Sequence, residues 1–564
     1  MKKLINKPVD VVREMLEGIV ALAPGQALLD SENVVVRASL PAPAERSVAL
    51  ISGGGAGHEP AHAGYVGPGM LTAAVTGEVF TSPSVDAVLA AIRATAGPAG
   101  ALLIVKNYTG DRLNFGLAGE LAAIEGIPTE LVVVADDVAL SGVVGRDRRR
   151  GIAGTVLVHK IAGAAAAEGK GLAEVADIAR SAASRIGTMG VALGSCIVPA
   201  AGKAGFTLGE DEIELGLGIH GEKGVERVGL LSADAITDRI VNQLVRDMAL
   251  EAGARVALLV NGLGGTPPME LAIVARRALA ALQSLGISIE RAWSGNFLTA
   301  IEMPGCSISL LDMRPGDAER LDAATTAMAW PRGGKTTGFP HLVAAPVSTD
   351  AEAPLGEAGR FDPEKLRRLG LAVADALETE EAHLTDLDSK AGDGDLGASM
   401  VRGAQAIRAL PECAWINPAN AMVAIGNTLR RAIAGSSGPF YAIALTRAGR
   451  HLAQANQFSP NDFREALAIA TAAISEIGGA KEGDRTMLDA HYPALQTIQS
   501  LGDSVSPAQA WREAARAAND GARKTADMTA KLGRASYLGE RARGTQDGGA
   551  TAVAIWMEAL ATSL

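Results

Sequence analysis

The amino-acid sequence predicts an α/β domain followed by an all-helical domain. In the first half, short apolar runs that end in glycine-containing loops alternate with helical stretches. In the second half, apolar residues recur at helical spacing and strand signals are nearly absent. The segment between them is rich in Gly, Pro, Thr and Ala and has little periodicity, as linkers do. We therefore expect domains at 1–332 and 361–564, joined by a linker at 333–360.

Four apolar runs in the first half predict buried strands. They lie at residues 48–51, 101–105, 130–135 and 255–260, and each leads into a loop and a helical stretch. Runs that are apolar on both faces are typical of parallel strands covered by helices on both sides. Ligands of such sheets bind at the carboxyl ends of the strands, where the loops lie. We expect two α/β subdomains, at about 1–190 and 191–330.

The second half predicts an antiparallel helical bundle. Asp362 and Pro363 form a favourable N-cap and first-turn pair, after which apolar residues repeat on one helix face. Helices joined by short loops are typical of antiparallel bundles. An acidic turn is expected between the first two helices. Further helices are expected at 399–410, 418–433, 440–456, 462–477, 488–500, 507–531 and 549–562.

The acidic turn carries the carboxylates of Asp388, Asp393 and Asp395 among glycines that permit a tight backbone. Like charges packed this closely are costly unless a cation lies between them. Oxygen ligands favour Mg²⁺, Mn²⁺ or Ca²⁺, but the later Glu of a calcium loop is missing after Leu396. A Mg–nucleotide site is therefore the favoured interpretation, and a solvated acidic turn is the alternative.

Composition excludes several classes of protein. The 564 residues carry a net charge of −11, which argues against a nucleic-acid-binding protein, since these usually present a basic face. Three scattered cysteines predict neither a disulfide framework nor a zinc site and indicate a reducing compartment. No run reaches about 18 apolar residues, and the first residues lack the apolar run of a signal peptide. We expect a cytoplasmic protein that binds neither nucleic acid nor a membrane.

Three loops of the first half are candidate sites. The glycine-rich residues 53–57 precede His58 and follow a strand, but they match neither a Walker A nor a Rossmann pattern, and a plain turn is the alternative. Asp111 follows the next strand, where an Asp is often only a turn former or helix cap. His220 lies between glycines and could be a base, a metal ligand or a nucleophile.

Four loops of the helical half lie at expected helix ends. Small residues before a helix present backbone N–H groups and hydroxyls to an anion. Several such loops at the ends of one bundle, beside a carboxylate cluster, indicate a nucleotide site. The loops lie at residues 435–438, 483–487, 533–537 and 545–549.

These motifs together resemble the ATP-dependent, single-chain dihydroxyacetone kinases over nearly the whole chain. In the first half the matching segments are 51–62, 69–75, 104–116, 150–160 and 218–222, which include Gly-Gly-Gly-Ala-Gly-His and Gly-Ile-His-Gly-Glu. In the second half they are 387–395, 435–439, 483–489 and 533–538, which include Gly-Asp-Gly-Asp. The order and length of the motifs make coincidence negligible.

The resemblance implies that the first domain binds a short ketose. His220 would add a ring nitrogen to the substrate carbonyl and form a covalent hemiaminal. Asp111 would take the proton of the terminal hydroxyl, and His58 would act with it as a catalytic residue that supports the bound substrate and its proton transfers. The substrate-binding residues would be Gly55, Ala56, Gly57, His58, Lys106 and Asp111.

The resemblance also implies that the second domain binds Mg–ATP and that the protein is a homodimer. Asp388, Asp393 and Asp395 would hold two Mg²⁺ ions on the ATP phosphates. The nucleotide-binding residues would be Asp395, Leu396, Gly397, Ala398, Ser436, Ser437, Gly478, Thr486, Met487, Arg534, Asp547, Gly548 and Gly549.

Three positions depart from the family's usual pattern. Ala56 stands where Ser is usual, Leu396 where Thr, Cys or His is common, and Gly548 where Pro is usual. None of these changes removes a catalytic group, but Ala56 leaves more room for a longer ketose.

The resemblance makes dihydroxyacetone the expected substrate and leaves alternatives open. Within the fold these are D- or L-erythrulose, glyceraldehyde, and the splitting of FAD to cyclic FMN. A non-catalytic ligand-binding regulator is a further alternative. It predicts the loss of a catalytic residue, whereas His220, Asp111 and the three aspartates are all present.

Overall fold

A computed structural model describes residues 2–345, 355, 361–433, 435, 437–455, 458–501 and 505–564. The chain divides into two compact units, Met1–Ala344 and Ala345–Leu564. Most of the expected linker, at 346–354 and 356–360, lies outside the described residues. Within the described part of the chain, no helix is long and apolar enough to cross a membrane.

The first unit contains helices and strands in alternation, as expected. Its helices are α1 (Val11–Leu22), α2 (Val85–Thr95), α3 (Thr109–Ile124), α4 (Thr155–Ala167), α5 (Leu172–Ser184), α6 (Ala233–Asp247), α7 (Pro268–Ser284) and α8 (Asp317–Asp322). Its strands are β1 (Gln26–Leu28), β2 (Val34–Arg37), β3 (Ala49–Ala56), β4 (Ala73–Val79), β5 (Ala101–Lys106), β6 (Thr129–Val134), β7 (Ile186–Ala192), β8 (Glu212–Leu215), β9 (Glu226–Gly229), β10 (Arg255–Gly262), β11 (Ser288–Gly295) and β12 (Gly305–Asp312).

These strands form two six-stranded sheets, and only the first is mainly parallel. The first sheet has the order β1-β2-β4-β3-β5-β6, and its last four strands pair in parallel. The second has the order β11-β10-β12-β7-β8-β9, in which only β10 and β11 are parallel. The expectation of parallel strands is therefore confirmed for the three predicted runs of the first sheet, and only in part for the run at 255–260, since β10 is parallel to β11 but antiparallel to β12. A buried apolar run does not record its direction, which is decided by the connections between strands.

The two sheets also change the expected boundary between the subdomains. β7 pairs with β12 and belongs entirely to the second sheet. The boundary expected near residue 190 therefore falls inside a strand, and the change of sheet occurs after α5. The glycine and alanine residues of β7 did not mark the true boundary between the subdomains, which lies before this strand.

The core of the first sheet explains why its strand ends are well fixed. Every residue of β3 and β5 is buried, and so is nearly all of α4, which packs beneath them. Burying a Val, Leu or Ile side chain contributes about 1.5–3 kcal/mol, so these runs anchor the loops that follow them.

The second unit is all-helical, which confirms the predicted fold class of an α/β domain followed by a helical one. Asp362 caps its first helix as predicted, because its side chain accepts a hydrogen bond from the N–H of Glu364 at 3.0 Å. The helices are α9 (Pro363–Thr379), α10 (Glu381–Ala391), α11 (Leu396–Arg408), α12 (Pro418–Ala432), α13 (Ser437–Leu452), α14 (Pro460–Gly478), α15 (Leu488–Ser500), α16 (Pro507–Lys524) and α17 (Gly548–Ser563).

Two details of the helical unit differ from expectation. The helix is interrupted at Glu380, between α9 and α10. The acidic turn therefore joins the second and third helices of this unit rather than the first two. The helix expected to reach residue 531 ends at Lys524 and is followed by a 3₁₀ turn at Thr525–Asp527. Both breaks lie in polar stretches where periodicity locates helix ends poorly.

Candidate active site

The first cluster of candidate residues lies at the carboxyl ends of β3 and β5. Gly55 and Ala56 end β3 and Lys106 ends β5, while Asp111 lies in the first turn of α3. Other backbone segments of the protein pass so close to β3 that positions 53 and 55 have room only for glycine. A Cβ at Gly53 would lie 2.2 Å from the carbonyl oxygen of Val75, and one at Gly55 would lie 2.5 Å from the nitrogen of Thr81.

The rings of His58 and His220 meet at this edge. Their centroids are 5.0 Å apart, although the residues are far apart in sequence. Phe80 stacks on His58 with centroids 5.1 Å apart, and Tyr108 packs edge-on against His220 at 4.5 Å. His58 is fully buried beneath these rings, whereas His220 is partly exposed.

The orientation of His58 is fixed by the backbone. Its Nδ1 lies 2.8 Å from the carbonyl oxygen of Thr299. Because a carbonyl oxygen can only accept, Nδ1 carries the proton and Nε2 keeps a lone pair. Nε2 is buried and has no hydrogen-bond partner among the described residues. A buried acceptor of this kind is able to take a hydrogen bond from a polar ligand.

Lys106 and Asp111 bring opposite charges into the same buried space. Lys106 is fully buried, and its Nζ lies 3.0 Å from Nε2 of His62. A Cβ at Gly54 would lie 2.7 Å from that Nζ and 3.7 Å from Oδ2 of Asp111, so glycine keeps the space between them open. Ser82 hydrogen-bonds to the Asp111 side chain, whose buried Oδ1 has no partner in the part of the chain that is described.

Burial changes the ionisation of these groups. Burial, together with the charges of Lys106 and Arg150, lowers the pKa of His220 to about 3. Burial likewise holds the pKa of His58 well below its usual range. It lowers the pKa of Lys106 and raises that of Asp111. Both imidazoles are therefore neutral at pH 7, as a nucleophile or a hydrogen-bond acceptor must be.

The second cluster is the acidic turn of the helical unit. Asp388 lies on α10, and Asp393 and Asp395 lie in the turn before α11. One carboxylate oxygen from each lies within 4.8 Å of the others. Oδ2 of Asp388 accepts the N–H groups of Asp395 at 3.0 Å and Leu396 at 3.3 Å, which closes the turn. Three convergent oxygen donors fit Mg²⁺, the ion expected from the sequence.

Several helices of this unit begin near the aspartates. α11 begins at Leu396, Gly397 and Ala398, immediately after Asp395. A Cβ at Gly548, the first residue of α17, would lie 2.6 Å from Cδ2 of Leu396, so these two helix starts adjoin.

A third helix start reaches the same place. A Cβ at Gly549 would lie 3.5 Å from Cβ of Met487, the residue before α15. Asp547 caps α17 by accepting the N–H of Ala550 at 2.8 Å. The starts of α11, α15 and α17 thus adjoin one another beside Asp395, and the positive end of a helix dipole suits phosphate groups.

Two of the remaining residues that were expected to bind the nucleotide lie at other helix ends of this unit. Ser437 begins α13 and Gly478 ends α14, where a Cβ at Gly478 would lie 3.0 Å from the ring of Phe440. Ser436 lies outside the described residues, and so does the side chain of Arg534.

Buried polar residues that the sequence did not single out support the loop of Thr486 and Met487. Asp489 accepts the N–H groups of Gly483 at 2.5 Å and Thr486 at 2.7 Å. Arg485 is 1% exposed and donates to the backbone carbonyls of Thr525, Ala542 and Thr545. Both residues lie inside the segment 483–489, which matches the family. That match is the sequence signal that could have identified them.

In the first unit, sequence reasoning missed His62, Phe80 and Ser82. His62 lies within the first matching segment, but nothing in its spacing predicts a contact with Lys106. Phe80 and Ser82 follow β4, so the rule that sites lie at the carboxyl ends of strands could have located them.

Comparison with known proteins gives domain matches and relatives that span nearly the whole chain. The Dak1 domain matches residues 17–329, and the DAK2 domain matches residues 390–562. The human protein named triokinase/FMN cyclase is 41% identical over 577 residues, covering 99% of this chain and 98% of the relative. A D-erythrulose kinase of Mycolicibacterium smegmatis is 35% identical, covering 98% of this chain and 97% of the relative.

The solved structure of the dihydroxyacetone kinase of Citrobacter freundii in complex with AMP-PNP and Mg²⁺ matches with a TM-score of 0.66. The two sequences are 37% identical, and the match covers 100% of both chains. Both domain matches and full-length relatives therefore agree with the resemblance read from the sequence. The chain belongs to the dihydroxyacetone kinase family.

Proposed function

We propose that this protein transfers the γ-phosphate of Mg–ATP to the terminal hydroxyl of a short ketose, with dihydroxyacetone as the substrate. The observation that carries the proposal is the group formed by the partly exposed His220 with the buried His58, Lys106 and Asp111, in a chain that also contains the aspartate cluster. An accessory protein without catalysis would have no need of both. The full-length match to a kinase that binds AMP-PNP and Mg²⁺ supports the same function.

His220 provides selectivity for carbonyl compounds. Its neutral ring nitrogen donates an electron pair to the carbonyl carbon, the carbonyl π pair moves to oxygen, and that oxygen takes up a proton. The other ring nitrogen gives up its proton, which balances the proton that the oxygen gains, and the product is a neutral hemiaminal between the ring and the ketose. Glycerol has no carbonyl group and forms no such bond, so the site rejects polyols despite their similar hydroxyls.

Asp111 acts as the general base for the hydroxyl that receives the phosphate. Burial raises its pKa, which makes its carboxylate a better proton acceptor than an exposed Asp. His58 accepts a hydrogen bond from substrate at its free Nε2, and Lys106 donates to a substrate oxygen. As pH falls through the raised pKa of Asp111, the base becomes protonated and the rate of transfer declines.

The aspartate cluster supplies the phosphate side of the reaction. Asp388, Asp393 and Asp395 hold two Mg²⁺ ions, and the starts of α11, α15 and α17 bind phosphate oxygens. When bound, Mg²⁺ neutralises the charge of the phosphates. The domains at 1–332 and 361–564 thus bind the ketose and the nucleotide respectively.

The test compares the wild-type protein with His220→Ala. We expect the variant to lose kcat/KM for dihydroxyacetone by roughly a hundredfold or more, because a nucleophile is removed. Nucleotide affinity should stay the same, as measured by calorimetry with AMP-PNP and Mg²⁺. His341→Ala is the matched control, since His341 is an exposed histidine of the same unit. An unchanged kcat/KM in His220→Ala would refute the role.

The same assay ranks the alternative substrates. D-erythrulose, L-erythrulose and glyceraldehyde each carry a carbonyl beside a hydroxyl, and one relative is named for D-erythrulose. Ala56 is the observation that favours a four-carbon ketose, because it lacks the hydroxyl of the usual Ser. If Ala56 sets the preference, Ala56→Ser should raise the ratio of dihydroxyacetone to erythrulose kcat/KM.

Formation of cyclic FMN from FAD is the second candidate function. It is favoured by the human relative, whose name includes FMN cyclase. Incubation with FAD and a divalent cation, followed by mass spectrometry of the products, tests it. Intact FAD in the presence of active kinase would exclude this activity.

A further inference from the structure

The loop that carries His220 folds around the side chain of Glu222. Oε2 of Glu222 accepts the backbone N–H of His220 at 2.8 Å. A Cβ at Gly218 would lie 1.6 Å from Oε1 of the same carboxylate, so any other residue at 218 would displace it. The carboxylate of Glu222 thus lies against Gly218 and binds the backbone N–H of His220.

Arg150 joins this loop to the end of the first sheet. Its Nε donates to Oδ2 of Asp137 at 2.7 Å, and Asp137 is a fully buried residue shortly after β6. Its Nη2 donates to the carbonyl oxygen of Gly216 at 2.7 Å, and its Nη1 donates to Oε1 of Glu222 at 3.3 Å. One guanidinium therefore holds the beginning and the end of the His220 loop against a rigid element.

The position of the ring depends on this backbone. His220 packs against Tyr108, His58 and Phe80, with ring centroids 4.5, 5.0 and 5.3 Å away. These neighbours limit the ring from the sides, but the depth at which it enters the site is set by the backbone of the loop. A displacement of about 1 Å in a reacting group can cost roughly a hundredfold in rate.

We propose that Glu222, held by Arg150, is the positioning residue of His220 and fixes its ring for attack on the substrate carbonyl. This rests on the proposed role of His220 as nucleophile. Glu222 does not itself touch the reacting atoms; it acts through the backbone N–H of His220. The charge of Arg150 is balanced within the network by Asp137 and Glu222.

The test measures the covalent adduct apart from phosphoryl transfer. Dihydroxyacetone labelled with ¹³C at the carbonyl is added without nucleotide, and the hemiaminal carbon is followed by NMR. We expect Glu222→Ala to reduce the adduct at a fixed ketone concentration by tenfold or more. Glu222→Gln, which keeps an oxygen acceptor for the N–H of His220, should recover part of the loss. Glu226→Ala is the matched control, because Glu226 pairs with Arg239 on the surface of β9.

The possible outcomes separate this inference from the proposed function. An adduct in the wild type that is equally abundant in Glu222→Ala overturns only the positioning role. Absence of the adduct in the wild type overturns the role of His220 and this inference with it. If Glu222→Ala does not fold, Glu222→Gln and Arg150→Lys are used instead. Both variants should form less adduct than the wild type, with unchanged affinity for Mg–AMP-PNP. An amount of adduct equal to that of the wild type would refute the inference.

Discussion

At the scale of single residues, the neutral imidazole of His62 beside Lys106 has a measurable consequence. Burial and the Lys106 charge lower the pKa of His62, so its Nε2 accepts the hydrogen bond from the Lys106 ammonium. Burial lowers the pKa of Lys106, and the charges of Asp111 and Glu59 raise it, so they partly offset the effect of burial. His62 therefore helps Lys106 to keep its proton in a site with little water.

We expect His62→Leu to move the alkaline limb of kcat/KM to lower pH by about one unit. A hydrogen bond to a charged group contributes roughly 1.5–3 kcal/mol, and its loss disfavours the protonated amine. The pKa of Lys106 then falls further, and activity is lost earlier as pH rises. His62→Gln retains an acceptor and should show a smaller displacement. A pH–rate profile of His62→Leu that coincides with the wild type would contradict this role.

The candidate residues of the first unit could be named from sequence, but their mutual contacts could not. His58, Lys106, Asp111 and His220 each lie in a motif, and the motif gives their identity. The approach of His58 to His220, and of Lys106 to His62, joins segments that only the folded sheets bring together. A one-dimensional pattern records spacing along the chain and carries no information on such distances.

At the scale of elements, the acidic turn between α10 and α11 yields a second prediction. Removing one of three convergent carboxylates takes away a metal ligand, so Asp393→Asn should weaken Mg²⁺-dependent binding of AMP-PNP by roughly tenfold or more. Calorimetric titration at several Mg²⁺ concentrations measures the effect. The control is Asp386→Asn, because Asp386 is an exposed residue of α10 that pairs with Lys390. The same Mg²⁺ dependence in Asp393→Asn and the wild type would rule out this ligand.

Element type was more predictable than element direction. Apolar periodicity predicted the helices of the second unit, and α15 runs over Leu488–Ser500 as expected. The strand at 255–260 was also predicted, but it pairs in parallel with β11 on one side and antiparallel with β12 on the other. Periodicity reports which face of an element is buried, whereas direction depends on partners that lie elsewhere in the chain.

At the scale of the whole molecule, the division into two compact units predicts how ligands affect stability. If the second unit binds the nucleotide, Mg–AMP-PNP at about 100 times its Kd should stabilise that unit by about 2.7 kcal/mol. For a unit of this size the gain corresponds to a rise in Tm of about 5–10 °C. Calorimetric scanning of the full chain should show this rise, and Asp393→Asn should diminish it. A Tm that Mg–AMP-PNP leaves unchanged would contradict nucleotide binding by the folded unit.

The sequence by itself determined the fold class and the family, and it named the residues proposed here for the chemistry. It could do so because apolar periodicity and short motifs are local properties of the chain. Only the tertiary structure decided the antiparallel pairing in the second sheet, the meeting of His58 with His220, and the network in which Arg150 and Glu222 hold the loop of His220. These are contacts between distant segments, and they form because burial of the two sheets brings those segments together.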